Sequence, residues 1–348
     1  MEKILTEEGT WFFIVPIKNV ILTKDVKYEF TIDRIRLFDI KKLPRIRKKI
    51  GFPYKFSEFK KKYSAIYEKF FNPYQTFATF RQTGTGEITK QKFLATVREE
   101  LAILSFSQLG ESRRYHNACP ALAEEVATGQ LSYFMMNLST KHWIQWNETT
   151  GKMDKIILNK LWLKRQKDSF FLDLIKIFRK DIKVSNSWYD DLKNAAILAG
   201  QSQSSSDLPQ CFLSNMIAIE LLLTKQGDSY SDKLPERAEA ILVWMLIHWG
   251  RDKFREAIRG LYAKRCSLVH SGNRSAIKIP DLLLSDTILL NLFINIVKHP
   301  KIFYSKEKLI EFSEKVQAEY VLNIKPKIRP KTFRYRGPVY SKSDYEKI

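Results

Sequence analysis

The residues best suited to chemistry in this sequence are an arginine and a histidine five positions apart, Arg265 and His270. Imidazole exchanges a proton near neutral pH, and a guanidinium binds a phosphate group through two parallel hydrogen bonds. Such a pair suits phosphodiester cleavage in RNA. The imidazole takes the proton from a ribose 2′-hydroxyl, and the guanidinium stabilises the charge that builds on the phosphate. This chemistry needs no metal ion.

Arg265 and His270 must lie close together to act on one phosphate group. Their spacing on a regular helix does not bring the two side chains together. Five positions on a regular α-helix turn through about 500°, which leaves the two side chains about 140° apart. We therefore expect the helix to end or distort near His270, and Gly272 is the residue type found just past a helix end. The alternative is structural, with Arg265 paired to a carboxylate and His270 capping the last carbonyl groups. An Arg-x4-His pattern by itself arises often by chance.

The surrounding sequence resembles the Apea-like branch of the HEPN superfamily over about residues 209–300. That branch has an Ala-Ile-Glu-Leu-Leu helix, then a Leu-x-x-Arg-Ala element, and then a helix ending in Leu-Tyr-x-x-Arg-(small)-x-x-Val-His-Ser/Gly-Gly. The matching pieces, in the same order and with agreeing spacing, are 218–222 (AIELL), 234–238 (LPERA) and 261–272 (LYAKRCSLVHSG).

The resemblance implies an up-and-down helical bundle and a metal-independent RNA endonuclease without a cofactor. Family members act as homodimers in which two Arg–His pairs meet in one composite cleft, and cleavage leaves a 2′,3′-cyclic phosphate and a 5′-hydroxyl. They serve in toxin–antitoxin, anti-phage and CRISPR-linked systems, which implies an antitoxin or defence partner. Carried over to this chain, Arg265 would bind and stabilise the phosphate, and His270 would be the general acid and base.

Three further residues complete this candidate site. Where the branch often has Ser after the arginine, this chain has Cys266, whose thiol is a weaker hydrogen-bond donor. We expect Tyr262 and Glu220 to support the fold of the site. Glu220 lies on an apolar helix face and needs a cationic partner if buried, for which Arg237 and Arg265 are the candidates.

The charge balance points to a polyanionic partner. The chain of 348 residues has a formal net charge of +21, of which +14 falls in residues 1–180. We assign RNA binding to the basic residues that flank the Arg–His pair and to a cluster near the N-terminus: Lys264, Arg274, Lys41, Lys42, Arg45, Arg47, Lys48 and Lys49. The alternative for such basic faces is plain solvation.

The pattern of apolar residues predicts a mostly α fold with a smaller α+β N-terminal part. We expect a mixed strand and helix domain over 1–185, a HEPN-like helical domain over 186–322, and a basic, flexible tail over 323–348. Within this plan, 28–37 reads as one strand, 55–71 as one basic amphipathic helix, 120–137 as a helix and 201–206 (QSQSSS) as a loop or helix start.

Composition excludes other classes of protein. Three scattered cysteines and no CxxC pair argue against a disulfide framework or a structural zinc site. The longest apolar stretches are too short or are interrupted by polar residues, so we expect no membrane partner and a cytoplasmic location. The rival to the nuclease is a non-catalytic HEPN module that binds nucleic acid or dimerises as an accessory subunit of a partner complex.

Overall fold

A computed structural model describes residues 8–52, 54–110, 119–123, 155–242, 250–325 and 327–337, together with the backbone of 130–136 and 143–149. The chain forms two compact units. The first consists of Met1–Thr31, Ile35–Arg98 and His116–Asn159, and the second of Ile32–Arg34, Glu99–Tyr115 and Lys160–Ile348. The fold is mostly α, with a smaller sheet-containing part at the N-terminus.

The first unit is built around an antiparallel sheet. Its strands are β1 (Glu8–Lys18), β3 (Glu29–Thr31), β4 (Arg36–Asp39), β5 (Thr76–Thr85) and β6 (Ala121–Leu122). Their order across the sheet is β3-β4-β5-β1-β6. β1 and β5 pair along nearly their whole length, from Glu8 opposite Thr85 to Ile17 opposite Thr76. The expected single strand over 28–37 is wrong, because β3 and β4 form a hairpin across 32–35.

Four further strands pair outside this sheet. β2 (Val20–Leu22) runs parallel to β9 (Ile156–Leu158), and β7 (Gln130–Met136) runs antiparallel to β8 (Trp143–Thr149). The expected helix over 120–137 is therefore wrong in its described parts. Bulky aromatic residues favour strands, and the stretch around Tyr133 is opposite an equally aromatic stretch around Trp146 in this register.

The basic segment of the first unit folds as α1 (Leu43–Ile50) and α2 (Phe56–Lys62), followed by short turns at Ser64–Ile66 and Tyr67–Phe71. The expected continuous helix over 55–71 is broken at Tyr63, whose backbone leaves the helical region (φ −123°, ψ 47°). The apolar stripe of the segment does face a core. Its buried members are Phe38, Leu43, Ile46, Ile50, Phe52, Phe59, Phe71 and Phe77.

The second unit is helical. Helix α3 (Gly86–Phe106) begins in the first unit, and its last two turns belong to the second. The other helices are α4 (Lys160–Asp168), α5 (Phe171–Phe178), α6 (Asn186–Ser204), α7 (Leu208–Leu223), α8 (Tyr230–Ile241), α9 (Arg251–Ser271), α10 (Ile279–Lys298) and α11 (Lys306–Val321). Helix α6 packs on α7, α8 on α9 and α11, and α10 on α7.

Helix α10 forms the centre of this unit. It is long and apolar enough to cross a membrane by length and composition, but 78% of its apolar window is buried inside the protein, as in the core helix of a globular fold. The Phe293 ring lies 4.6 Å from that of Phe106 and 5.6 Å from that of Phe170. These contacts place 160–185 in the helical unit, so its boundary lies near 160 rather than at the expected 185.

Residues 201–204 of the polar stretch complete α6, and the expected helix start follows directly, with Asp207 as the N-cap of α7. The Ser202 hydroxyl donates to the carbonyl of Cys211 at 2.8 Å, and the Gln203 amide donates to the buried Asp286 at 3.4 Å. Partners distant in sequence satisfy these side chains, which allows a polar run to lie inside the unit.

The segment 327–337 is anchored rather than flexible, so the expected mobile tail is wrong for these residues. Asn295 accepts a hydrogen bond from the Arg334 N–H at 2.9 Å and donates to the Arg334 carbonyl at 3.1 Å. Asn291 binds both backbone groups of Arg336 in the same way, at 2.7 and 2.9 Å. Phe333 is 3% exposed and packs against Phe303 and Phe312. Residues 338–348 lie outside the described part of the chain.

Candidate functional site

Helix α9 carries both residues of the Arg–His pair and ends where the sequence predicts. Gly272 adopts the left-handed conformation (φ 62°), and its N–H donates to the Leu268 carbonyl at 3.1 Å. Of the two expectations, an end or a distortion near His270, the first is confirmed, since the helix is regular and ends at Ser271, one residue after His270. Arg265 and His270 consequently point in different directions from one helix, about 140° apart.

Arg265 faces α7 and pairs with Glu220. Its Nη2 atom donates to Glu220 Oε2 at 3.0 Å, and the Glu220 side chain is only 9% exposed. Burial raises the pKa of the Glu220 carboxyl, and the nearby guanidinium offsets only part of that shift. Of the two partners expected for Glu220, the structure selects Arg265, while Arg237 pairs with Asp228.

The Arg265–Glu220 pair is incompletely satisfied. Within the described residues, Arg265 Nε and Glu220 Oε1 are both buried and have no hydrogen-bond partner. A single hydrogen bond holds a pair that could form two, which is unusual because buried polar atoms are nearly always satisfied. The Arg265 guanidinium thus has one buried N–H group, at Nε, without an acceptor among the described residues.

Tyr262 and Cys266 lie one helical turn apart beside this pair. Burial raises the pKa of the Tyr262 hydroxyl, with further increases from its hydrogen bond to the Cys266 thiol and from the Glu220 charge. The Tyr262 ring also lies 6.1 Å from that of Tyr230 on α8. These contacts support the expectation that Tyr262 and Glu220 hold the local structure around Arg265.

His270 lies on the exposed last turn of α9. It makes no hydrogen bond or ion pair with any residue that the structure describes, and it does not cap the helix, since Gly272 does so. Val269 beside it is 48% exposed. The structural alternative therefore holds for Arg265, which pairs with a carboxylate, but not for His270.

The two basic residues that flank the pair are bound to acidic partners. Lys264 lies 2.6 and 2.7 Å from the two carboxylate oxygens of Asp281, and Arg274 lies 2.8 and 2.7 Å from those of Asp207. Asp207 is the N-cap of α7, with Pro209 in the first turn, and Asp281 is the third residue of α10, directly after Pro280. Such local patterns predict a helix start but not the cations that these carboxylates bind.

The basic residues on and just before α1, within 41–49, form a cluster (the α1 cluster) that is not bound to acidic partners among the described residues. Its helix has no acidic residue, and its apolar positions Leu43, Ile46 and Ile50 face the core. The basic side chains are directed away from that face. None of them forms an ion pair with a described residue: Lys41, Lys42, Arg45, Arg47, Lys48 and Lys49.

Among the described residues, no three His, Cys, Asp or Glu side chains come together as a metal site would require. Comparison with protein-family models, with curated proteins and with solved structures gave no match for this chain.

Proposed function

We propose that this chain is a metal-independent RNA endonuclease of HEPN type that acts in a toxin or anti-phage defence role. In the proposed reaction His270 takes the proton from the ribose 2′-hydroxyl, and the 2′-oxygen attacks the adjacent phosphorus. The 5′-oxygen of the next nucleotide leaves and takes a proton, which yields a 2′,3′-cyclic phosphate and a 5′-hydroxyl. Arg265 stabilises the charge on the phosphate.

The state of the two side chains carries this proposal. His270 is exposed and unengaged by described residues, so it is accessible to a substrate, and Arg265 is held in place by Glu220 with its Nε–H uncommitted. The motif residues around them, 261–272, match the HEPN signature helix in order and spacing.

The regular geometry of α9 supports a homodimer with a composite cleft. One copy separates Arg265 and His270 around the helix, so a second copy that brings its own pair alongside would complete the site. The half-buried and exposed residues from 264 to 271 leave this end of α9 uncovered by described residues and open to a partner.

The cations of the α1 cluster, which form no ion pair with a described residue, would bind the RNA backbone. Phosphate contacts by such cations give affinity with a steep dependence on salt and little sequence preference.

The test is cleavage of RNA by the full chain in EDTA, with chemical analysis of the product ends. His270→Ala and Arg265→Ala should each lower the rate by about 100-fold or more, the usual contribution of a general base or a transition-state cation. Arg259→Ala is the matched control, since Arg259 is exposed on the same helix and lies outside the motif stretch 261–272. Specific activity should rise with protein concentration if the active form is a dimer.

One observation favours the second candidate, a non-catalytic HEPN module acting as an accessory subunit. Arg265 is bound to Glu220 in this structure, as a purely structural arginine would be. Wild-type protein that binds RNA in a salt-dependent way but never cleaves it, with or without the two substitutions, would establish this candidate and reject the nuclease.

A further inference from the structure

A second set of cations, none of which forms an ion pair with a described residue, lines a cavity of about 670 Å³ in the helical unit. Its lining comes from the loop 32–34, from the connection between α5 and α6, and from the first turn of α6. The volume falls in the range of small-molecule sites, and none of the lining residues belongs to the Arg–His site.

A buried carboxylate fixes the loop on one side of the cavity. Glu100 is fully buried and accepts hydrogen bonds from the backbone N–H groups of Asp33 and Arg34, both at 2.9 Å. The Asp33 carboxylate in turn accepts from the Tyr189 hydroxyl at 3.0 Å and from Lys193 Nζ at 2.5 Å. The Asp33 charge is thereby neutralised, and the backbone that carries Arg34 is held rigidly at the cavity.

Three cations line this cavity without acidic partners. Arg34, Lys180 and Lys183 are all exposed, and none forms an ion pair with a residue that the structure describes. Against them, Asp190 is the remaining carboxylate of the lining once Asp33 is neutralised. The balance of charge in the cavity favours an anion.

The backbone at Lys180 is in the left-handed conformation. Lys180 has a φ of 63° just past α5, and its N–H donates to the Ile177 carbonyl at 2.9 Å. Glycine is the usual residue at such a helix end, since a side chain strains the left-handed conformation. A glycine at this position would therefore remove the cation and relieve the strain together.

We propose that this cavity binds a mononucleotide, with the phosphate held by Arg34, Lys180 and Lys183 and the nucleoside resting on Ile182 and Val184. A bare phosphate would fill only a small part of the volume and would leave these apolar walls uncovered. Asp190 and Asn186 supply acceptors and a donor for the sugar hydroxyls and the base edge. The proposal is independent of the nuclease assignment.

The experiment is isothermal titration of the full chain with adenosine monophosphate, uridine monophosphate and inorganic phosphate. We expect one saturable site per chain, with at least one nucleotide bound more tightly than phosphate. Arg34→Gln and Lys183→Gln should each raise the Kd by about tenfold, the effect of one charge-assisted hydrogen bond.

Lys180→Gly is the most discriminating variant. It removes the cation and also relieves the left-handed strain, so the Kd should rise about tenfold while the Tm stays the same or increases. The control is Lys176→Gln on α5, which removes the same charge from a lysine paired with Asp173 outside the cavity and should leave the Kd unchanged.

Three results would overturn the proposal: no saturable binding at millimolar nucleotide, the same Kd in all three cavity variants as in wild type, or equal affinity for phosphate and both nucleotides. Arg259→Ala, on α9 and outside both sites, should bind nucleotide with the wild-type Kd. Failure of this site therefore leaves the nuclease proposal standing, and failure of the nuclease leaves this site standing.

Discussion

The basic residues of the α1 cluster and the ion-paired ones of the helical unit look alike in the sequence but differ in what they contact. The α1 cluster has six cations and no ion pair among the described residues, whereas Arg237, Lys264 and Arg274 each bind a carboxylate. A cation held by a carboxylate stabilises the fold, and outside the Arg–His site it must give up that contact to bind the RNA backbone. Net charge alone therefore overstates the surface available to RNA, and pairing decides where that surface lies.

The largest effect should follow from breaking the buried pair between Asp228 and Arg237. The Arg237 side chain is 4% exposed and donates two hydrogen bonds to Asp228. Asp228→Asn leaves a buried cation without its counter-charge, and we expect a loss of about 3–5 kcal/mol in the free energy of unfolding, measured by urea denaturation at pH 7. The exposed Asp252→Asn is the control. Equal urea midpoints for Asp228→Asn and wild type would refute a structural role.

The same pair predicts a pH dependence. Burial would raise the pKa of Asp228, but hydrogen bonds from Arg237 and from the Lys225 N–H outweigh it and hold the pKa below its ordinary value. A carboxyl group with a lowered pKa stabilises the fold above its unfolded pKa, and this contribution is lost as the pH falls through the folded value. The stability difference between wild type and Asp228→Asn should therefore shrink on acidification below about pH 4.

The next effect concerns RNA binding by α1. Replacing Arg45, Arg47, Lys48 and Lys49 together with Gln should lower the slope of log K against log salt by about 3, since each cation lost from single-stranded RNA removes about 0.7. The control removes the same charge from lysines paired within their own helices: Lys176, Lys233, Lys308 and Lys315. Fluorescence anisotropy over a salt series measures both. Equal slopes of log K against log salt in the two variants would mean that ion pairing within the protein does not determine which cations bind RNA.

The smallest effect is expected at the paired residues beside the Arg–His motif. Lys264→Gln and Arg274→Gln should change the RNA affinity by less than about twofold and lower the stability by at most about 1 kcal/mol, because both ion pairs are partly exposed. The same anisotropy assay tests this. A drop in affinity as large as that of the α1 variant would assign these residues to the RNA surface after all.

Much of the helical unit could be predicted from the sequence because its signals are local. Asp207 caps α7 and Gly272 ends α9, and both depend on residues within one turn. The elements that were wrong depend on distant partners. Residues 201–204 extend α6, with Gln203 bonded to Asp286 83 positions away, and 327–337 is ordered because α10 binds its backbone.

The sequence predicts only part of the candidate site, because some of its contacts depend on partners far along the chain. That Glu220 needs a cation follows from its place on an apolar helix face, and Arg265 is that cation. The partners of Lys264 and Arg274 are 17 and 67 positions away, and no local pattern predicts them. The cavity at Arg34 escaped sequence analysis because it joins a loop near residue 33 to a helix start near residue 186.

The two asparagines of α10 have a consequence for synthesis of the chain. Asn295 leaves the peptidyl transferase centre 39 residues before Arg334, whose backbone it will bind. At 5–20 residues per second the ribosome needs about 2–8 s to cover that distance. Before Arg334 and Arg336 are added, Asn295 and Asn291 of the core helix lack the backbone partners that these residues supply, and Phe333 is not yet present to pack on Phe303 and Phe312. The interior of the helical unit is therefore completed only after the chain has been made as far as residue 336.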